Sequence, residues 1–327
     1  METPTATPTP ALVPNVCRSC GGRMIRWGRD KGVQRWRCKD CGATFADRPV
    51  NPMGSMRIDP ERAALILGML TEGSSIRSAE RLTGTHRDTI CRLLRFAGAK
   101  AEGLMDAIIR NVEVKDIQAD EIWGYVGMKE KTKVEQGITD THVGDAYTFV
   151  GFERHSKLVL SWHLGRRTAE DTGLFMGKLA GATTGRFGLT VDGFGPYPQA
   201  TEEHLGGRVD FAVLKKTYGT HSSEDNRRYS PAKIIGTEKI LVSGTPDPAM
   251  ICTSHVERQN LHMRMQVRRL TRLTNAFSKK WENLKAALAL HFWTFNFAWM
   301  HSSIRMTPAM KAGICRKPLR VADLLTA

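Results

Sequence analysis

The chain has 327 residues, and its 48 Lys and Arg outweigh 33 Asp and Glu to leave a formal charge of +15. That length holds one catalytic domain of ordinary size plus smaller modules, and the positive surplus favours polyanionic partners, nucleic acid first. A membrane span is not expected, because no stretch approaches the ~20 apolar residues a bilayer demands. The seven cysteines divide into a spaced quartet and three singles, which suits a reducing cytoplasm better than a disulfide framework.

Residues 1–15 are rich in Thr and Pro and lack the charged-then-apolar order of a secretory signal, so they read as a disordered lead-in. Cys17, Cys20, Cys38 and Cys41 then form two Cys-x₂-Cys pairs at four-thiolate zinc spacing. Gly21, Gly22 and Gly42 follow the pairs, as expected where tight turns bring thiolates together. A module over 16–50 is too small to fold on its own core, so a structural Zn²⁺ is expected to hold this zinc ribbon together. Arg18, Arg23, Arg26, Arg29, Lys31, Arg35, Arg37 and Lys39 surround the ligands and fit phosphate contact.

From Asp59 the pattern becomes helical. Asp59 can cap, Pro60 suits the first helical position, and Ala64, Leu65, Leu67, Met69 and Leu70 give an apolar face that ends at Gly73. Ser75 caps a second helix over 76–82, and a third is predicted over 86–95 with Ile90, Leu93 and Leu94 inward. Helix, Gly-containing turn, helix is the arrangement that lays a recognition helix in the major groove, giving a helix-turn-helix DNA-binding domain at 58–100. His86, Arg87 and Thr89 stand where base edges are reached, with Arg92 and Arg95 where phosphates are. A plain three-helix bundle fits the same pattern.

Beyond residue 110 strands dominate. The segment 112–120 alternates into the acidic pair Asp120 and Glu121, 122–126 prolongs it, and 146–152 and 158–164 follow as an antiparallel meander. A helix is predicted from Thr168, with Glu170 and Asp171 in its first turn. The segment 187–191 makes a short strand that ends on Asp192, and Glu257 opens a long helix. Alternation sends Asp120 and Glu121 to opposite faces, so only one of them is expected to reach a shared site. Carboxylates are the hard donors that hold paired Mg²⁺ ions ~3.5–4 Å apart in phosphoryl transfer. By spacing alone, however, three acids among 33 read as surface charge. The polar stretch 215–250 matches no catalytic part and reads as a loop that orders on DNA.

The segments Asp120 to Gly127 (Asp-Glu-Ile-Trp-Gly-Tyr-Val-Gly), Val191-Asp192-Gly193 and Ser254-His255-Val256-Glu257-Arg258-Gln259-Asn260 together resemble a DDE transposase of the insertion-sequence-one type. So do 270–280 and the run from Phe295 through His301 to Met310. The likeness spans nearly the whole chain. It implies an α/β, ribonuclease-H-like catalytic domain over 110–310 with a tail at 311–327, and cleavage and strand transfer at the ends of a mobile element. It also implies a zinc ribbon and helix-turn-helix that grip the terminal repeats. The resemblance carries catalysis and the binding of two Mg²⁺ ions, or Mn²⁺, onto Asp120, Asp192 and Glu257. DNA ends and target DNA are the implied partners, with a homodimer or higher assembly pairing two ends in the bacterial cytoplasm at the nucleoid.

The helix after Glu257 carries Arg258, Arg264, Arg268 and Arg269, expected to draw phosphates toward acids that otherwise repel them. Leu288, Phe292, Trp293, Phe295, Phe297 and Trp299 read as core. Two other classes fit the same parts. One is a non-enzymatic DNA-binding regulator, separated by its lack of metal-dependent nicking; the other is a hydrolytic nuclease of the same fold, separated by its lack of strand-transfer products.

Overall fold

Gly21 and Gly42, with φ of 74° and 72°, each turn the chain directly after a cysteine pair in the computed structural model, which describes residues 16–17, 19–30, 32–46, 53–219 and 234–326. The expected lead-in at 1–15 lies outside the described residues. The chain divides into two units, Met1–Met56 and Arg57–Ala327.

In the first unit β1 (Met24–Asp30), β2 (Val33–Cys38) and β3 (Thr44–Ala46) form an antiparallel sheet in that order. Its buried side chains are Cys17, Met24, Trp36 and Cys38, with Ala43 and Phe45 packed against them. Two of these four are thiols, so apolar burial alone is a weak counterweight to the entropy of ordering the strands.

The second unit opens with three helices. In α1 (Pro60–Thr71) the Asp59 carboxylate accepts from the Arg62 amide at 2.9 Å, and in α2 (Ile76–Thr83) Ser75 does the same for Ser78 at 3.0 Å. Gly84, at φ 68°, ends α2 in the left-handed region that favours glycine. The third helix, α3 (Arg87–Ile108), runs 22 residues, well past the predicted stop at 95. Its buried face continues through Ala97, Ala101 and Met105, and Gly98 within it is a close-approach point: a Cβ there would lie 2.5 Å from Ala286 Cα.

Next come β4 (Val112–Glu113), β5 (Asp116–Val126), α4 (Glu130–Glu135), β6 (Gly144–Glu153), β7 (Val159–Gly165), α5 (Ala169–Ala182), β8 (Thr183–Thr184), β9 (Phe187–Val191), α6 (Tyr197–His204), β10 (Val209–Tyr218) and β11 (Ile234–Ser243). The main sheet has the order β11-β10-β9-β5-β6-β7. The pairs β5–β6, β6–β7 and β10–β11 are antiparallel, while β5–β9 and β9–β10 are parallel. The predicted meander is present, and this is a mixed α/β unit. Alternation along β6 sorts its faces: Phe149 stacks on Phe175 of α5 at 5.7 Å, whereas Phe152 meets Phe295 beyond the other face at 6.4 Å. The stretch 215–250 is largely strand, not loop, within its described part: β10 and β11 pair antiparallel from Phe211–Ser243 out to Tyr218–Ile234. Its sequence hid this because most of β11 is exposed, so no buried face imposes a period of two.

The chain closes with α7 (Ser254–Gln266), α8 (Trp281–Trp293), α9 (Pro308–Lys311) and α10 (Asp323–Thr326). A π-helical turn at Thr294–Ala298 extends α8 and turns buried Asn296 onto β7. There Asn296 Nδ2 donates to the Val159 carbonyl at 2.8 Å, and its Oδ1 accepts from the Val159 amide at 3.0 Å. Leu288, Phe292, Trp293, Phe295 and Phe297 are buried as expected, whereas Trp299 is only half-buried. Among the described residues, no helix is long and apolar enough to cross a membrane.

Candidate functional site

The pairing of β5 with β9 ends at Gln118 opposite Thr190. Two residues farther along each strand are Asp120 and Asp192, with Asp192 just beyond the end of β9. Parallel register therefore makes these acids neighbours where the β5–β9 pairing has ended. The carboxylates of Asp120, Glu121 and Asp192 each offer an oxygen within 4.8 Å of the others. The expectation that only one of Asp120 and Glu121 reaches the site does not hold. Their side chains do leave opposite faces: Asp120 Oδ2 accepts from Asn260 of α7 at 2.8 Å, and Glu121 Oε2 accepts from the Tyr197 hydroxyl of α6 at 3.0 Å. With β9 ended, that edge of β5 is open, and a carboxylate oxygen from each face lies within 4.8 Å of one from Asp192.

Each acid is held by named groups. Asp120 Oδ1 accepts from the Glu121 amide at 2.9 Å, and Asp192 Oδ1 from the Phe194 amide at 3.0 Å. The Glu121 side chain is almost wholly buried and takes Arg167 Nε on Oε1 at 2.6 Å, while Arg167 Nη2 lies 3.8 Å from Asp192. Arg167 sits just ahead of the Thr168 cap. The loop that presents it is fixed by Asp171, which accepts from the Arg166 amide and pairs with His163 Nε2, both at 2.7 Å. Phe194 stacks beneath the guanidinium, 4.2 Å from carbon to ring centre.

On the opposite face, α7 is anchored to the same strand. Fully buried Gln118 accepts on Oε1 from the His255 and Val256 amides at 3.0 and 3.2 Å, satisfying orphan donors of the helix start. This fixes Glu257 and, one turn on, Asn260. Glu257 stands outside the group of converging oxygens. It takes the Thr253 hydroxyl at 2.6 Å and an ion pair from Lys216 of β10.

The electrostatics follow from crowding. Burial, then the charges of Asp192 and Glu121, push the Asp120 carboxyl up to about 7, and Glu257 adds to the rise. Burial and Asp192 also raise Glu121 against the pull of Arg167. Tyr197 lies well above its usual range, through burial and then Glu121, so it stays a hydrogen-bond donor. Clustered hard oxygens whose charges repel one another fit a divalent cation such as Mg²⁺ or Mn²⁺.

The cysteines make a second cluster. Cys17 Sγ lies 3.6 Å from Cys41 Sγ and Cys20 Sγ 3.5 Å from Cys38 Sγ, with all four sulfurs within 4.8 Å of one another. These separations far exceed the ~2.05 Å of a disulfide and approach the ~3.8 Å edge of a tetrahedron with ~2.3 Å zinc–sulfur bonds. The two turns repeat one geometry: the Ser19 amide points to Cys17 Sγ and the Asp40 amide to Cys38 Sγ, both at 3.4 Å. The donor set fits Zn²⁺.

The cations expected to meet DNA divide by what they touch. His86, Arg87 and Arg92 are exposed at the start of α3 and Thr89 is half-buried, with His86 Nδ1 accepting from the Asp88 amide at 3.3 Å. Arg258 and Arg268 are exposed. Arg264 instead donates to the Leu270 and Trp123 carbonyls, both at 3.1 Å, and Arg269 to Ser278 at 3.3 Å.

No family profile and no curated protein matches the chain. Among solved structures it is similar to a piggyBac transposase synaptic complex with hairpin DNA, at 9% identity over 82% of this chain and 69% of that one, with a TM-score of 0.31.

Sequence reasoning did not single out Asn260, Arg167, Tyr197, Gln118 or Lys216. Two carried a usable signal: Asn260 lies three residues after Glu257 on one helix face, and Gln118 shares the strand face of Asp120. Arg167, Tyr197 and Lys216 arrive from separate loops, helices and strands, and only the tertiary fold brings them in.

Proposed function

We propose that this chain is a DNA transposase, binding the ends of an insertion sequence and cutting and joining DNA strands in a metal-dependent reaction. The observation that carries the reading is the adjacency of Asp120 and Asp192 at the end of β9, with Glu121 beside them. The strand order supports a ribonuclease-H-like fold: three antiparallel strands β7-β6-β5 continue into parallel β9 and β10. The motif resemblance around the three acids supports the same assignment.

In this reading Asp120 and Asp192 hold the metal ions, Glu257 completes the set from α7, and Glu121 adds its carboxylate from the other face. Divalent ions bound there would activate the attacking oxygen and stabilise the leaving one. Asn260 orients Asp120, and Tyr197 and Arg167 orient Glu121. The four cysteines hold a structural Zn²⁺, the exposed cations of α3 grip the terminal repeats, and pairing two ends requires at least a dimer on DNA.

The test is to incubate the protein with its flanking DNA and Mg²⁺ and map the nicks and joined products. Asp192→Ala is expected to abolish both while end binding persists. Nicking by that variant at the wild-type rate would refute the assignment, and nicking by the wild type without joined products would leave a hydrolytic nuclease.

A further inference from the structure

A cleft of about 720 Å³ lies between the first three helices and the segment running from the end of α7 into α8, within the ~300–1,000 Å³ range of small-molecule sites. It is graded from mouth to floor. Arg77, Arg87, Arg268, Arg269 and Lys279 line it, against Asp88 as the one acid. Arg77, Arg87, Arg268 and Lys279 are exposed, and none of these four has an ion-pair partner among the described residues. Leu94 and Leu290, each 2% exposed, form the apolar floor beside Ala287.

Two residues that line the cleft also carry buried polar atoms without partners. His291 is 2% exposed and its Nδ1 has no hydrogen bond, as is true of Asn283 Oδ1. His291 Nε2 faces Gln259 Nε2 at 3.5 Å. An amide nitrogen can only donate, so this Nε2 is the acceptor and Nδ1 carries the proton. Burial and then His262 hold His291 near 3, so the ring is neutral. A buried N–H without an acceptor is costly to leave unmade. His291 and Asn283, eight residues apart on α8, stand about 12 Å apart along its axis, too far for one planar base but within reach of a base and its sugar together.

We infer that this cleft binds a single phosphorylated nucleoside, its phosphate among the cations at the mouth and its base on the apolar floor against the His291 N–H. Such a group has two sources, an unpaired nucleotide of a DNA strand or a free mononucleotide. The strand source rests on the transposase reading above; the cleft itself uses none of the clustered acids.

The experiment titrates the full-length, zinc-loaded protein, without Mg²⁺, with fluorescently labelled deoxyadenosine monophosphate, inorganic phosphate, a blunt duplex and the same duplex with a one-nucleotide 3′ overhang. The mononucleotide is expected to bind at least tenfold tighter than phosphate. Ala287→Trp, which fills the floor, and Arg268→Glu, at the mouth, are each expected to weaken it at least tenfold with the melting temperature retained. If Ala287→Trp does not fold, exposed Arg77→Glu takes its place. Preference for the overhang over the blunt duplex identifies the strand source, and equal duplex binding the free nucleotide. The inference is overturned if the mononucleotide binds no better than phosphate and the overhang adds nothing, or if the folded variants bind like wild type. Mg²⁺-dependent nicking in the same preparation separates the two readings, since nicking without nucleotide binding rejects the cleft alone.

Discussion

Asn260 donates from Nδ2 to Asp120 Oδ2 at 2.8 Å, so the strand that carries the first acid and the helix that carries Glu257 meet through one side-chain bond. Groups that orient metal-binding carboxylates typically govern affinity or activity by about 10- to 100-fold. Asn260→Ala is expected to lower strand cleavage by about that factor with DNA affinity unchanged, measured by single-turnover nicking beside an equilibrium binding assay. Equal rates for variant and wild type would leave Asn260 a packing residue.

On the proposed reading, the raised Asp120 carboxyl makes metal binding a proton exchange. With a folded value of about 7 above an unfolded value of ~3.9, the metal-free protein holds an extra proton between these pH values. Its stability from this group is therefore full below the unfolded value and declines as pH rises through about 7. Thermal melts without metal should show that loss, Asp120→Asn should flatten it, and Mg²⁺ affinity should be weaker at pH 6 than at pH 8. Affinity independent of pH over that range would contradict it.

Lys216 neutralises Glu257 from β10. Removing the ammonium leaves another uncompensated carboxylate near the acid cluster, so Lys216→Gln is expected to tighten Mg²⁺ binding by about two- to fivefold, the scale of a partly exposed ion pair. Isothermal titration reads this directly, and weaker binding would show that Lys216 supports the site.

How much of this was legible in the sequence depends on what each signal reports. The caps Asp59, Ser75 and Thr168 act within a few residues, and all three were readable. The strand carrying Asp120 and the short strand before Asp192 were also visible, because β-branched and apolar runs bounded by turn residues read as strands. The β10–β11 ribbon was not, because exposure on β11 frees its composition. The third helix was read short, ending at 95, because the turns that follow bury small residues, Ala97, Gly98 and Ala101, which carry little apolar signal. The convergence of Glu121 was hidden because alternation sorts side chains by face and does not report that β9 stops before Glu121, leaving an edge that both faces can reach.

At Gly98 the crowding is against main chain as well as side chain: an added Cβ would lie 2.6 Å from the Ala286 carbonyl oxygen. Alanine gains roughly 1 kcal/mol over glycine in a helix, but overpacking costs about 1–3 kcal/mol. Gly98→Ala is therefore expected to be net destabilising in urea unfolding, although helix propensity alone predicts the reverse.

Cys38 is buried, its sulfur close to Cys20 Sγ and the Asp40 amide. Cys38→Ser is expected to reduce bound zinc from one ion per chain to none by elemental analysis and to remove amide-exchange protection from β1 to β3. Protection in β5 and α8 should be unchanged, because those elements belong to the other unit.

The length of α3 has a mechanical consequence. Its 22 residues make a rod of about 33 Å, clamped to α8 at Gly98 and free to meet a ligand at Arg87. Whatever the tip of that rod grips is carried as a rigid load, so its distance from the contact at Gly98 is set by helical rise and not by a tether. A substrate held there would be measured off by a ruler built into the chain.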